Sequence, residues 1–126
     1  MSEDIAYEVM MDHYRNPHNY GTIENATNRI TEYNPLCGDT VHLEMIINEG
    51  RIEDIKFVGR GCSISQASAS ILTEMVKGKG ISSLTDLTDQ KYLTDLGVSL
   101  GPARERCALL SLNALKKAIA GDGTAP

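Results

Sequence analysis

The residues best able to do chemistry in this sequence are three cysteines: Cys37 in "NPLCGD", Cys62 in "GRGCSIS" and Cys107 in "RERCALL". Each sits beside a turn or a helix start, whereas a cysteine used for packing belongs inside an apolar alternation. Three thiols cannot all pair as disulfides, and a reducing cytosol disfavours even one bridge. The thiolate is the form that binds metal ions and attacks sulfur. Cys62 stands just before a predicted helix, and Cys107 about one turn into another. The unpaired N–H groups and positive dipole of a helix start favour the charged sulfur there. Arg104 and Arg106 flank Cys107 and push the same way. Asp39, two residues after Cys37, offers a carboxylate oxygen as fourth ligand. The expectation is that Cys37, Asp39, Cys62 and Cys107 converge on one metal or iron–sulfur centre. A hard oxygen among soft sulfurs suits a site that must give its cargo away.

Blander roles compete with this one. Each cysteine could be a small buried hydrophobe, and Asp39 could merely close an Asx-turn. The spacing is not a CxxC pair, so distance along the chain does not establish convergence. The three histidines read as structural or surface residues. His42 alternates with apolar strand positions and points to the wetter face, while His13 and His18 flank a proline turn.

The elements that must position these groups follow from patterning. At 126 residues the chain suffices for one domain, 1–126, with a modest core. There is no Trp and a single Phe, so that core is built from aliphatic side chains. A formal net charge of −5 gives nucleic acid or an anionic membrane no electrostatic support. No apolar run approaches the ~20 residues that span a bilayer. The acidic opening "MSEDIAYEVM" shows no secretory signal. The protein reads as cytoplasmic, with neither nucleic acid nor membrane as partner.

Ser2 caps a first helix that ends at Asn16-Pro17, with Ile5, Val9 and His13 on one face. A short strand is predicted at 29–33. A clearer one runs from about Thr40 to Asn48, where Val41, Leu43 and Met45 alternate with polar residues. Glu49-Gly50 turns it into a return strand marked by Ile52, Ile55 and Phe57, its alternation broken around Glu53-Asp54. A helix follows from Ser63 or Ser65 to about Lys77, with Gly78 as its stop and small residues over Ser65–Ser70 for close approach. Residues 84–96 form a short helix or a pair of turns. The last helix starts at Pro102 and runs to about Ala120, burying Leu109, Leu112, Leu115 and Ile119. The order α-β-β-β-α-α-α argues for an α+β fold, a small three-stranded antiparallel sheet with helices packed on it.

Four stretches together, "DHYRNPHNYG", "NPLCGD", "GRGCSISQASASILTE" and "RCALLSLNALKKAI", resemble the IscU/SufU/NifU-N scaffold proteins of iron–sulfur cluster assembly across nearly the full length. The resemblance implies that Cys37, Cys62 and Cys107 take the places of the family's cluster-binding cysteines. Asp39 takes the place of the aspartate that makes the cluster labile. It implies a function as well: accepting persulfide sulfur from a cysteine desulfurase, combining it with iron from an iron donor, and passing a transient [2Fe–2S] cluster to acceptor apoproteins. Any of Cys107, Cys37 and Cys62 is then a candidate persulfide acceptor. A homodimer could complete the site when the cluster is bound. IscU-type members carry a histidine before the third cysteine and a Leu-Pro-Pro-Val-Lys chaperone motif ahead of it. Here these places read Arg106 and "SLGPAR", which puts an IscU-type Hsp70 chaperone partner in question. The "CSISQASAS" and "RCALL" wording is closer to SufU, which implies the alternative of Zn2+ and a zinc-dependent sulfurtransferase. The run from Cys62 to Cys107 is too short for the extra segment of SufU-type zinc proteins, however.

Overall fold

A computed structural model describes residues 2–36 and 38–121. Helix α1 (Glu3–Arg15) leads into strands β1 (Asn28–Asn34), β2 (Asp39–Asn48) and β3 (Arg51–Arg60). Helices α2 (Ser63–Val76), α3 (Ile81–Leu84), α4 (Asp89–Leu96) and α5 (Pro102–Ile119) follow. The strands form one antiparallel sheet in the order β1-β2-β3, so the expected α+β architecture is the observed one. The stretch 84–96, expected as one short helix or a pair of turns, holds the short helix α4, and the single-turn α3 just before it was not among the expected elements. No helix among the described residues is long and apolar enough to cross a membrane.

Val41, Leu43 and Met45 of β2 face inward with Ile55 and Phe57 of β3, all fully buried. Each such side chain contributes roughly 1.5–3 kcal/mol relative to an exposed one. The broken alternation in β3 has a physical cause. Ile46 pairs with Asp54 and Ile47 with Ile52, which leaves Glu53 as an extra residue in a β-bulge. The bulge turns both Ile52 and Ile55 to the core although they are three apart.

Helix α5 lies over β1 and β2, α2 lies beside it over β3, and α1 packs on α2. Their starts follow local signals: Ser2 caps α1 by accepting from Ile5 N–H, and Pro102 opens α5. The buried stripe of α1 differs from the expected one. Ile5 and Val9 are exposed, and Ala6 and Met10 face α2 instead. The stripe is turned by one residue, about 100°, because small Ala6 lies against Gly97 and His13 bonds Ser70 of α2. On α2 the buried side is made largely of small residues, Ser65, Ala67, Ser68, Ala69 and Ser70, which lets α1 and α5 approach closely.

Candidate metal centre

Asp39 is the first residue of β2, paired with Asn34 of β1, and is only 2% exposed. A buried carboxylate must be hydrogen-bonded or paired. Asp39 Oδ1 accepts from the backbone N–H of Cys62 at 3.0 Å, and Oδ2 accepts from the Cys62 thiol at 3.3 Å. Cys62 is the N-cap residue of α2 and makes no capping bond through its own side chain. Its sulfur is thereby directed to Asp39 instead of to the first amides of the helix.

Gly61 makes this seat available. Its φ is +142°, a conformation that favours glycine, and a β-carbon there would collide with Asp39 Oδ1 and stand 2.5 Å from Cγ. The "GxGC" wording was the available signal, but the contact that needs the glycine is with a residue on another strand.

Cys107 projects from the second turn of α5 and is 6% exposed. As the sixth residue of the helix it lies beyond the four amides a helix start leaves unpaired. The expected stabilisation of its thiolate by free N–H groups therefore does not apply. Arg104 and Arg106 are both exposed, and among the described residues neither forms an ion pair. Cys37 lies outside the described residues.

The ligand atoms of Asp39, Cys62 and Cys107 all lie within 4.8 Å of one another. Strand β2, the N-terminus of α2 and the second turn of α5 thus each deliver one donor to one point. Bonds of about 2.3 Å to zinc place tetrahedral sulfur ligands roughly 3.8 Å apart, so the donors need move only about 1 Å to close on an ion. If all three groups were anionic, two unit charges 4.8 Å apart would repel by about 3.5 kcal/mol at an effective dielectric near 20. A cation bound among them would relieve that repulsion. Two thiols and a carboxylate fit a thiophilic ion or an iron–sulfur cluster.

The histidines lie outside this cluster, in structural roles. His13 Nδ1 is 2.7 Å from Ser70 Oγ, and its ring lies 4.4 Å from that of His18. Burial, then the neighbouring His18, lowers its pKa below 6.5. His18 pairs with Glu74 at 2.9 Å. His42 sits on the outer sheet face between Thr31 and Glu44, each at 2.8 Å. Glu44 also accepts from Ile23 N–H and pairs with Arg29. Burial pushes its carboxyl up, but these partners outweigh it and hold the pKa below the usual glutamate value. A buried glutamate in β2 was not foreseen, because alternation assigned position 44 to the wet face.

Three comparisons extend the geometry. The model of the NifU-like N terminal domain matches residues 6–121. The chain is 41% identical to the zinc-dependent sulfurtransferase SufU of Bacillus subtilis (strain 168) over 132 aligned positions, covering 90% of this chain and 88% of that protein. It is 36% identical to the iron–sulfur cluster assembly scaffold protein IscU of Escherichia coli (strain K12) over 121 positions, covering 92% and 93%. Among solved structures, the N-terminal part of a nitrogen-fixing NifU-like protein from Brucella abortus superposes with a TM-score of 0.79 at 21% identity, covering 95% of each chain, a likeness of fold.

Proposed function

Because the chain belongs to the NifU-like N-terminal domain family, we propose that it is a scaffold on which a transient [2Fe–2S] cluster is built and from which it is handed to acceptor apoproteins. The observation that carries this reading is the convergence of Asp39, Cys62 and Cys107 within 4.8 Å at the meeting point of β2, α2 and α5. A structural zinc site is closed by four Cys or His ligands, whereas here a carboxylate holds one place. Cys37, the third cysteine, is proposed to complete the ligand set. The whole chain, 1–126, is proposed to act as one scaffold domain.

Sulfur would come from a cysteine desulfurase. A thiolate of this chain attacks the terminal sulfur of the desulfurase persulfide, one S–S bond forms as another breaks, and the desulfurase thiolate leaves. Cys62 is the exposed thiol of the described pair and Cys107 the buried one, so Cys62 is the more accessible acceptor of the two. Iron from a donor protein, an electron donor that supplies two electrons per sulfur to reduce the persulfide's outer sulfur to sulfide, and a second copy of the chain to cover the cluster complete the scheme. The cytoplasm, where thiols stay reduced, is the proposed compartment.

The zinc-dependent sulfurtransferase is the second reading, favoured by the 41% identity to a protein of that name. One observation weighs against it. That alignment runs to 132 positions, longer than the whole 126-residue chain, so the relative holds positions this chain lacks. An IscU scaffold protein of Streptococcus pyogenes serotype M1 also aligns over 128 positions and that of Escherichia coli over 121, so the weight falls on the short run between the second and third cysteines. Between Cys62 and Cys107 this chain has room for only α3, α4 and short links after α2.

Anaerobic purification with metal analysis and a visible absorption spectrum tests the two. Bound iron and acid-labile sulfide with a cluster spectrum support the scaffold. Colourless protein with one zinc per chain, and sulfur uptake that requires that zinc, would replace it by the sulfurtransferase.

A further inference from the structure

The spacing of Cys62 and Cys107 depends on how α2 and α5 are held, and the core at that junction is polar where packing alone would use hydrocarbon. Ser68 of α2, Tyr92 of α4 and Ala108 of α5 meet there, each fully buried. Ser68 Oγ–H donates to the Ala108 carbonyl at 2.6 Å. With that hydrogen committed, the phenolic hydrogen of Tyr92 serves Ser68, whose Oγ and carbonyl oxygen stand 2.5 and 2.8 Å away. Burial raises the pKa of Tyr92, so its hydroxyl stays a donor. Ser111 also reaches this phenol, although its Oγ makes no hydrogen bond of ordinary geometry.

The placement is directional. Ala108 is the residue after Cys107, so the Ser68 bond grips α5 in the turn that carries the thiol. Ser68 lies six residues beyond Cys62, about 9 Å along α2. Tyr92 enters from α4, which is tied to α5 on the surface by Lys116 and Asp89. The small residues around Ser68 bring the two backbones close enough for a side chain of one helix to reach a carbonyl of the other. Buried hydrogen bonds of this kind fix one register, because a slipped register strands the hydroxyls.

We infer that Ser68 and Tyr92 are positioning residues for the metal centre: their hydroxyls lock α2 to α5 and so set the separation of Cys62 and Cys107. The lock is a property of the metal-free fold. Its consequence for cargo rests on the scaffold reading above.

The test is bridging of the two thiols by dibromobimane, which fluoresces strongly only when it links a close thiol pair. The full chain is used with Cys37→Ser, in chelator, so that only Cys62 and Cys107 can be bridged. Rates are normalised to monobromobimane labelling of each thiol. Ser68→Ala should slow bridging by up to about fivefold to tenfold, the change in the clamped-to-open equilibrium constant expected from losing one hydrogen bond of ordinary net strength. Tyr92→Phe, which keeps the ring and the Ser68–Ala108 bond, should slow it less and keeps the test alive if Ser68→Ala fails to fold. Ile55→Val, a core change in β3 that also lowers stability, should leave the normalised rate unchanged. Clamp variants that bridge at the parent rate, or an Ile55→Val chain slowed as much as they are, would overturn the inference. A Co2+ titration separates the two proposals: a parent that binds no Co2+ overturns the metal-centre reading, and the bridging rate still decides the clamp.

Discussion

At the residue scale, Asp39 holds two positions at once. It is a candidate ligand of the proposed centre, and it also accepts the N–H of Cys62 at the start of α2. The two roles separate experimentally. Asp39→Ala removes a buried acceptor and should cost about 1–3 kcal/mol of stability, read as a lower urea midpoint in the metal-free chain. In the folded fraction, reconstituted anaerobically, the same variant should keep its cluster longer in air, because the hard oxygen ligand is the first to exchange. Faster decay of the visible absorption than in the parent would make Asp39 a cap and nothing more. Gly61→Ala attacks the same contact from the other side. Its β-carbon cannot coexist with the Asp39 carboxylate, and φ near +142° strains alanine. Expected are a stability loss of about 1–3 kcal/mol and at least the loss of metal affinity that Asp39→Ala shows, measured by Co2+ titration.

At the element scale, the hairpin between β2 and β3 and the seam between α1 and α2 set the frame for the centre. Glu49 and Gly50 both have positive φ, +52° and +74°, the pattern of a two-residue primed turn between Asn48 and Arg51. Glutamate is poorly suited to that conformation and asparagine well suited. Glu49→Asn should therefore stabilise the chain by about 0.5–1 kcal/mol, seen as a higher melting temperature with metal binding unchanged. The α1–α2 seam should be sensitive to pH. His13 has a pKa lowered in the fold by burial and by His18, so protons bind the unfolded chain more readily. Its contribution is present above the unfolded value near 6.5 and is lost as pH falls from there toward the lower folded value. The drop in urea midpoint between pH 7.5 and 5.5 should be smaller in His13→Gln than in the parent. An equal drop would place the titration elsewhere.

At the scale of the whole molecule, β2, α2 and α5 come together at the candidate centre. An ion bound at the proposed centre would crosslink β2, α2 and α5 and would bind the folded chain far better than the unfolded one. At a free Zn2+ concentration a hundredfold above Kd the fold should gain about 2.7 kcal/mol, observed as a rise in melting temperature that a chelator reverses. Cys62→Ser should abolish that rise while leaving the metal-free melting temperature close to the parent's, since Cys62 is exposed at a helix end. A rise that survives the substitution would place the stabilising ion at another site.

The sequence by itself determined the order of the elements apart from the single-turn α3, the hairpin, the ends of α1, α2 and α5, and the candidate donors. Those features rest on local physics: proline and glycine punctuation, capping side chains, and the alternation that a two-sided strand requires. Residues 39, 62 and 107 were also legible as candidates from their turn and helix-start contexts. Their convergence was expected from those contexts taken together, but the spacing could not establish it, because sequence separation carries no distance between β2, α2 and α5. Only the tertiary structure decided which face of α1 is buried, since Ala6 and Met10 win over Ile5 and Val9 through the shape of α2. It alone showed the Glu53 bulge, the Asp39 seat over Gly61 and the Ser68–Tyr92 clamp. Each of these depends on a contact between residues many positions apart, and no local preference encodes such a contact.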